Sequence, residues 1–320
     1  MSGLITLEEI EAARAGLPPA IRRTPTLPLA RGPEEVGTEG LFLKLENFQI
    51  TGVYKPRAAF HILGTFSAEE RRMGVVIPSS GNFAQGFAIA GRMMGVRVAV
   101  VMPEMTIPYK VEATRAYGAD VVFSGNDYAK RQPMVEETAR ARGMISINIQ
   151  TDRRVPIGHS SIGLEIIEDL SGVETVVVPI SSGGLIAGVA SAIKLKAPEV
   201  RVIGAQPAGA AAMHRSLRAG APTPIEKWET MADALSATQV SQFLFDHACE
   251  RVDEVVLVTE EEITGAFRLL LHRAKVLAEP GGAVAAAACL SGKVRGAGKI
   301  VALVSGGNMT ADLAAQLAAG

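Results

Sequence analysis

The sequence predicts an α/β protein of mostly parallel sheets covered by helices. Nine short runs rich in Val and Ile, near 41–45, 75–78, 96–102, 120–123, 144–149, 175–180, 201–206, 255–258 and 299–304, lack polar alternation. Strands buried on both faces read this way. Amphipathic stretches of helical period separate most of the runs, as crossover helices between parallel strands do. Three of the runs also end in a small, polar, glycine-bearing turn that leads on towards a helix.

Taken in order, Thr6 and Glu9 have the spacing of a capping box that opens a first helix through Ala15. The string Thr51-Gly52-Val53-Tyr54-Lys55-Pro56-Arg57-Ala58-Ala59 follows the first run. Pro56 disfavours the α region for the residue before it and suits the first position of a helix. Lys55 is therefore expected to be extended, at a fixed junction between loop and helix, with its amine aimed at a bound group. A lysine fixed in an apolar site is how proteins hold an aldehyde covalently; a lysine without such a setting is a solvated surface cation. Val75–Pro78 delivers Ser79-Ser80-Gly81-Asn82 into a helix from Phe83 to Met94. The run ending at Ile180 delivers Ser181-Ser182-Gly183-Gly184 into a helix from Leu185 to Lys194, and the last run delivers Ser305-Gly306-Gly307-Asn308. Such turns expose backbone N–H groups at the positive end of a helix, where an anion can approach.

Composition fits a soluble enzyme with material for two lobes: 320 residues, 48% apolar and 20% charged. A formal net charge of −1 offers no basic surface to nucleic acid or anionic membranes. No apolar run approaches the ~18 residues of a membrane span. The N-terminus runs into acidic Glu8 and Glu9 and does not read as a secretory signal. Cys249 and Cys289, the only cysteines, suggest neither a disulfide framework nor a zinc site, so a cytoplasmic location is expected. No repeat or low-complexity linker marks a domain boundary.

The chain resembles the threonine dehydratase and serine racemase group of pyridoxal-phosphate enzymes, those with the tryptophan synthase β-subunit fold. The resemblance is carried by Leu43-Lys44-Leu45-Glu46-Asn47 leading to the lysine motif, Ser79 to Asn82, Ser181 to Gly188, Glu279-Pro280-Gly281-Gly282-Ala283, and Ser305 to Asn308. Their order and spacing span nearly the whole chain. The resemblance implies a two-lobed molecule with a large cofactor-binding domain from 1–48 and 147–320. A small domain, 49–146, is inserted in it, and pyridoxal 5'-phosphate lies between the lobes at the carboxyl ends of strands. It also implies a homodimer and a small amino-acid substrate.

Under that resemblance Lys55 carries the cofactor, and Ser181, Ser182, Gly183, Gly184 and Leu185 cradle its phosphate. The family usually places glycines where Ser181 and Ser182 stand, but a hydroxyl can also donate to phosphate. Asn82 would meet the ring hydroxyl and Ser305 the pyridine nitrogen, while Glu279 and Gly282 lie near the ring. A hydroxyl partner leaves the ring a weaker electron sink than an aspartate would, favouring elimination over transamination. Ser79, Ser80, Gly81 and Asn82 would receive the substrate carboxylate. Ser80 aligns with the serine that acts opposite the lysine in the racemases; it either does acid–base work or only binds carboxylate. The implied activity is dehydration of a β-hydroxy amino acid to a 2-oxo acid and ammonia, with Lys55 as general base. The alternative is racemisation of serine or threonine.

The chain departs from the family at several positions. Val53 replaces a usual serine, Phe83 a usual histidine and Ala234 a usual glycine. Val53 and Phe83 add apolar surface beside the substrate. Either the site takes a bulkier apolar β-substituent, as in phenylserine, or the changes are neutral in an enzyme for threonine or serine. Gln206, Ala210 and Ala212 stand where relatives place acids that bind a divalent cation, so no metal is expected. Twelve residues follow Asn308, so an appended regulatory domain is not expected and a catabolic role is.

Other classes read less well. A nicotinamide enzyme would show G-x-G-x-x-G and an acid in place of Gln206. Gly158-His159-Ser160-Ser161-Ile162-Gly163 has the wrong glycine spacing for a hydrolase elbow. β-Replacement would need a second nucleophile and a better leaving group, and a non-catalytic binding protein would not need Lys55 and Ser80. His61, His159, His214, His247 and His272 have no ligand spacing and are expected at the surface or in packing.

Overall fold

The computed structural model describes residues 3–29, 40–127, 130–296 and 298–319. Among these, the strands are β1 Thr26–Pro28, β2 Leu41–Leu45, β3 Val75–Pro78, β4 Val98–Met102, β5 Asp120–Phe123, β6 Ile145–Ser146, β7 Val173–Pro179, β8 Arg201–Pro207, β9 Glu254–Val258 and β10 Lys299–Val304. They form a six-stranded sheet in the order β1-β2-β10-β7-β8-β9 and a four-stranded sheet in the order β5-β4-β3-β6. Every pairing is parallel except β1 with β2.

The absence of polar alternation has its expected cause. On β7, Val177 packs into one core, with the helices Glu260–Leu269 and Pro280–Leu290, whereas Val176 and Val178 pack into another, with Gly184–Lys196 and Ser161–Asp169. Both faces of the large sheet are thus covered. The small sheet repeats this: Val75 and Ile77 face Pro56–Gly64 and Asn82–Met94, while Val76 faces Arg131–Arg142.

The first helix, Leu7–Ala15, opens with the expected capping box. The Glu9 N–H donates to the Thr6 hydroxyl at 3.3 Å, and the Thr6 N–H donates to the Glu9 carboxylate at 3.0 Å. Three local details differ from expectation. β1 was not legible because it is three residues long, half-exposed to exposed and proline-bearing, the signature of a blunted edge strand. The run near 144–149 keeps only Ile145–Ser146 as strand, although the Ile147 N–H still donates to the Val76 carbonyl at 3.0 Å.

The third difference is Lys55, which is not extended. Its φ of −55° and ψ of −33° are right-handed helical. The Arg57 N–H donates to the Tyr54 carbonyl at 3.1 Å and that of Ala59 to the Lys55 carbonyl at 3.3 Å, so the helical turn begins ahead of Pro56. The steric preference imposed by proline is modest; the anchoring of this helix by Arg57 overrides it.

Candidate active site

β3, β7 and β10 all point their carboxyl ends at one place. Ser79–Asn82, Ser181–Gly184 and Ser305–Asn308 follow directly from them. The lysine loop is zipped to the last of these turns. The Tyr54 N–H donates to the Ser305 carbonyl at 3.1 Å, the Gly307 N–H donates to the Gly52 carbonyl at 2.9 Å, and Val53 pairs with Gly306. A Cβ on Gly306 would lie 2.5 Å from both Val53 Cγ1 and Glu279 Oε1, so the close approach requires glycine.

A polar chain then ties the distant motifs together. Asn82 Nδ2 donates to both carboxylate oxygens of Glu279, at 2.9 and 3.2 Å. Asn308 Nδ2 donates to Asn82 Oδ1 and to the Thr51 carbonyl, each at 2.9 Å. Four segments that span residues 51 to 308 are thereby held in one register.

The first two of these turns, with the lysine loop, border a cavity of about 710 Å³. Lys55, Ser79, Ser80, Gly81, Asn82, Phe83, Ser181, Ser182, Gly183, Gly184 and Leu185 line it, together with Tyr54, His159 and Ala234. Val53, Glu279 and Ser305 do not reach its wall. Val53 is 1% exposed and faces Gly306, so its side chain packs beneath the cavity wall. The expectation that Val53 adds apolar surface next to a substrate is corrected accordingly. Glu279 and Ser305 stand just behind Asn82 and Tyr54 through the bonds given above.

Lys55 is held by aromatic rings. Its Nζ lies 4.3 Å from the Tyr54 centroid and 4.4 Å from that of Phe83, and it donates to the Tyr54 hydroxyl. Burial pulls the amine down to about 7, against the smaller upward pull of Glu279. Burial pushes Glu279 up to about 7, more than the Asn82 hydrogen bond lowers it. Tyr54 is raised by burial and stays a phenol.

The two serine-bearing turns divide their labour. Ser79 Oγ accepts from the N–H groups of Ala84 and Gly81, at 3.1 and 3.4 Å, and so caps the helix Asn82–Met94. Ser80 is left partly exposed on the cavity wall. Ser181 Oγ accepts from the Ala237 N–H at 3.3 Å, which fixes the facing loop. Gly183, at φ 108°, swings the chain into the helix Gly184–Lys196, whose first turn has no side-chain cap. Its N–H groups at the cavity are therefore available to an anion.

Sequence reasoning missed several residues here. Lys110 and Asp233 form a 2.5 Å ion pair across the cavity from opposite lobes. Arg57 is fully buried and holds Glu46 and Glu165. His159 is fully buried, packs against Tyr54 and Phe83 as one of the expected alternatives has it, and also contributes to the cavity wall. No local pattern announces a buried arginine or a wall-lining histidine; only the tertiary contacts do. In the stretch read as a false hydrolase elbow, Ser160 donates to the Ile157 carbonyl at 2.5 Å and Ser161 accepts from Arg57 at 3.0 Å, both buried. Gln206 donates to the Ser181 carbonyl at 3.4 Å and accepts from the His214 N–H at 3.1 Å. Among the described residues, no group of three or more His, Cys, Asp or Glu is placed to hold a metal ion.

A buried lysine of lowered basicity beside an uncapped helix N-terminus is a site for an aldehyde that carries an anion. The family model described as pyridoxal-phosphate dependent enzyme matches residues 17–306. The chain belongs to that family. As a pyridoxal-phosphate enzyme it is 37% identical over 310 residues to the catabolic L-threonine dehydratase of Staphylococcus aureus (strain USA300), covering 96% of this chain and 90% of that one. It matches the structure of maize serine racemase with a TM-score of 0.92 at 31% identity, covering 98% of this chain and 97% of that one. It matches the structure of T.th. threonine deaminase with a TM-score of 0.89 at 35% identity, covering 96% of this chain and 99% of that one. The two-sheet α/β architecture is that of these pyridoxal-phosphate enzymes. Among the described residues, no helix is long and apolar enough to cross a membrane.

The residues present fit the cofactor. Lys55 can take its aldehyde, and the turn Ser181–Leu185 offers N–H groups to its phosphate.

Proposed function

We propose that this enzyme is a dehydratase, an ammonia-lyase that converts a β-hydroxy amino acid to a 2-oxo acid and ammonia. We further propose that it favours an apolar β-substituent larger than the methyl group of threonine, phenylserine being the test case. The observation that carries both is Lys55, an amine lowered to about 7 and set between the rings of Tyr54 and Phe83. Similarity to the catabolic L-threonine dehydratase supports the reaction class.

When bound, the cofactor supplies the electron sink that makes the α-proton removable. In this reading Lys55, largely neutral above pH 7, takes that proton as general base. Ser80 and the N–H groups of Gly81 and Asn82 hold the substrate carboxylate. The turn Ser181–Leu185 holds phosphate, Asn82 meets the ring hydroxyl with Glu279 behind it fixing its amide, and Ser305, from behind the wall, is the partner of the ring nitrogen. Phe83 excludes water from the β-position and accepts an apolar group there. The same reading takes 1–48 and 147–320 as the large domain, 49–146 as the inserted one, and a cytoplasmic homodimer as the working form.

The deciding experiment compares 2-oxo acid formation from L-threonine and L-threo-phenylserine. Phenylserine is expected to be the faster, and Phe83→His is expected to shift the kcat/KM ratio towards threonine by roughly 10- to 100-fold. A wild-type preference for threonine that Phe83→His leaves unmoved would refute the specificity.

A second expected result concerns pH. Only the neutral amine attacks an aldehyde. The rate at which cofactor-free protein attaches pyridoxal 5'-phosphate, followed by absorbance, is expected to rise about tenfold per pH unit below about 7 and to level off above it. An unperturbed lysine would keep climbing towards 10.5.

Racemisation remains the second reading, favoured by Ser80 on the cavity wall and by the likeness to maize serine racemase. A product that keeps its β-hydroxyl would select it.

A further inference from the structure

His159 is a buried titratable group that the proposed roles above leave unused. It ends the helix Arg154–His159, has no exposed surface and lines the cavity. Its ring is edge-on to Tyr54, with centroids 4.7 Å apart, and lies 5.9 Å from Phe83. These are the two rings that hold the Lys55 amine, so the imidazole and the general base pack against the same pair of rings.

Among the described residues, neither ring nitrogen has a hydrogen-bond partner. The Gly184 backbone lies close enough to favour the charged ring but makes no hydrogen bond of ordinary geometry with it. An unpaired buried polar group costs about 1–3 kcal/mol, and folded chains leave few. The same chain shows how it treats a histidine that only packs. His247 is equally buried, yet its Nε2 accepts from the Ile5 N–H at 2.9 Å and its Nδ1 donates to the Phe243 carbonyl at 2.7 Å.

Burial first, and then the charge of Lys55, hold His159 well below its ordinary range, so the ring is neutral. A neutral imidazole offers one N–H donor and one acceptor. Tyr54 and Phe83 make the surrounding wall aromatic, with the Tyr54 hydroxyl already engaged by Lys55. His159 is thus an unengaged polar side chain in the aromatic part of the cavity wall, against the two rings that hold Lys55.

We propose that His159 donates a hydrogen bond to the β-oxygen of the substrate and so favours its departure, the oxygen leaving as water with the proton that Lys55 takes from the α-carbon. The assignment rests on the dehydratase reading and deepens it. A donor aimed at an oxygen that gains negative charge as its bond to carbon breaks stabilises the transition state more than the ground state. It also gives an otherwise apolar wall a means of telling a β-hydroxy amino acid from one lacking the hydroxyl.

The test uses two substrates with one carbon skeleton and different leaving groups, L-serine and β-chloro-L-alanine, with the cofactor-loaded enzyme. In His159→Leu the ratio of kcat/KM for serine to that for β-chloroalanine is expected to fall about 100-fold. His159→Gln, whose amide can donate, is expected to restore most of that ratio. An equal loss on both substrates would overturn the assignment and make His159 a packing residue. The affinity of cofactor-free His159→Leu for pyridoxal 5'-phosphate, read by absorbance, is expected to stay within about threefold of wild type. A tenfold or greater weakening would overturn the assignment in favour of a cofactor contact. A wild-type enzyme that eliminates chloride but never hydroxide would remove the dehydratase reading together with this one. Dehydration of serine by wild type, with equal losses on both substrates in the variant, would remove this one alone.

Discussion

Lys55→Ala is expected to fold as the wild type does and to lose ammonia release by at least about 10⁴-fold, because the cofactor's point of attachment and the general base are lost in one side chain. Far-UV circular dichroism and a colorimetric ammonia assay measure the two halves of that statement. Wild-type-like release by the variant would refute the role given to Lys55. The amine is also a liability in the cofactor-free protein. Its folded-state value of about 7 lies below the unfolded 10.5, so the unfolded chain binds the extra proton between those limits. Stability from this group is therefore present above about 10.5 and lost as pH falls towards 7. Glu279 acts in the opposite sense and in a lower window: raised to about 7 from 4.5, it removes stability as pH rises through that interval. Lys55→Met, which keeps the volume, is expected to unfold at higher denaturant than cofactor-free wild type at pH 7. The difference should shrink as pH approaches 10.5.

Arg57→Leu is expected to destabilise the protein by about 3–5 kcal/mol, seen as a lower urea midpoint. Arg57 is fully buried, and its guanidinium reaches both Glu46 oxygens at 2.8 Å and both Glu165 oxygens at 2.6 and 2.9 Å. It also donates to the Arg22 carbonyl and to Ser161, both at 3.0 Å. Leucine would leave two carboxylates buried with Lys44, 2.8 Å from Glu165, to neutralise them. Arg57→Lys is expected to recover only part of the loss, because an ammonium cannot span two carboxylates as a planar fork does. The network reaches the site because Arg57 stands two residues beyond Lys55, on the helix whose first turn aims that amine. A midpoint unchanged in Arg57→Leu would show that the ion cluster contributes nothing to the fold.

The contrast between Lys55 and Arg57 shows where the sequence stops. Lys55 is legible because the loop-to-helix junction marked by Pro56 and the glycine-bearing turns are local signals with local causes, although its own backbone is helical where Pro56 predicts it extended. Arg57 is not, since its burial depends on Glu46 and on Glu165, more than a hundred residues away. Val53 and Phe83 looked alike as apolar replacements beside the lysine. Only the structure separates them, sending Val53 beneath the site against Gly306 and leaving Phe83 on the wall over the amine. His159 and His247 are likewise indistinguishable in the sequence. Among the described residues, one is satisfied at both nitrogens and the other at neither, the difference resting in part on the distant Ile5 N–H that reaches His247.

By itself the sequence determined the parallel α/β architecture and the glycine-bearing turns at its strand ends, because each rests on periodicity or on proline and glycine, while the cofactor followed from the resemblance that the short motifs carry. The tertiary structure alone decided which side chains reach the cavity, which ions are buried together and which histidine lacks a partner. Burial and hydrogen-bond satisfaction are set by contacts between segments far apart in the chain, and no local pattern encodes them.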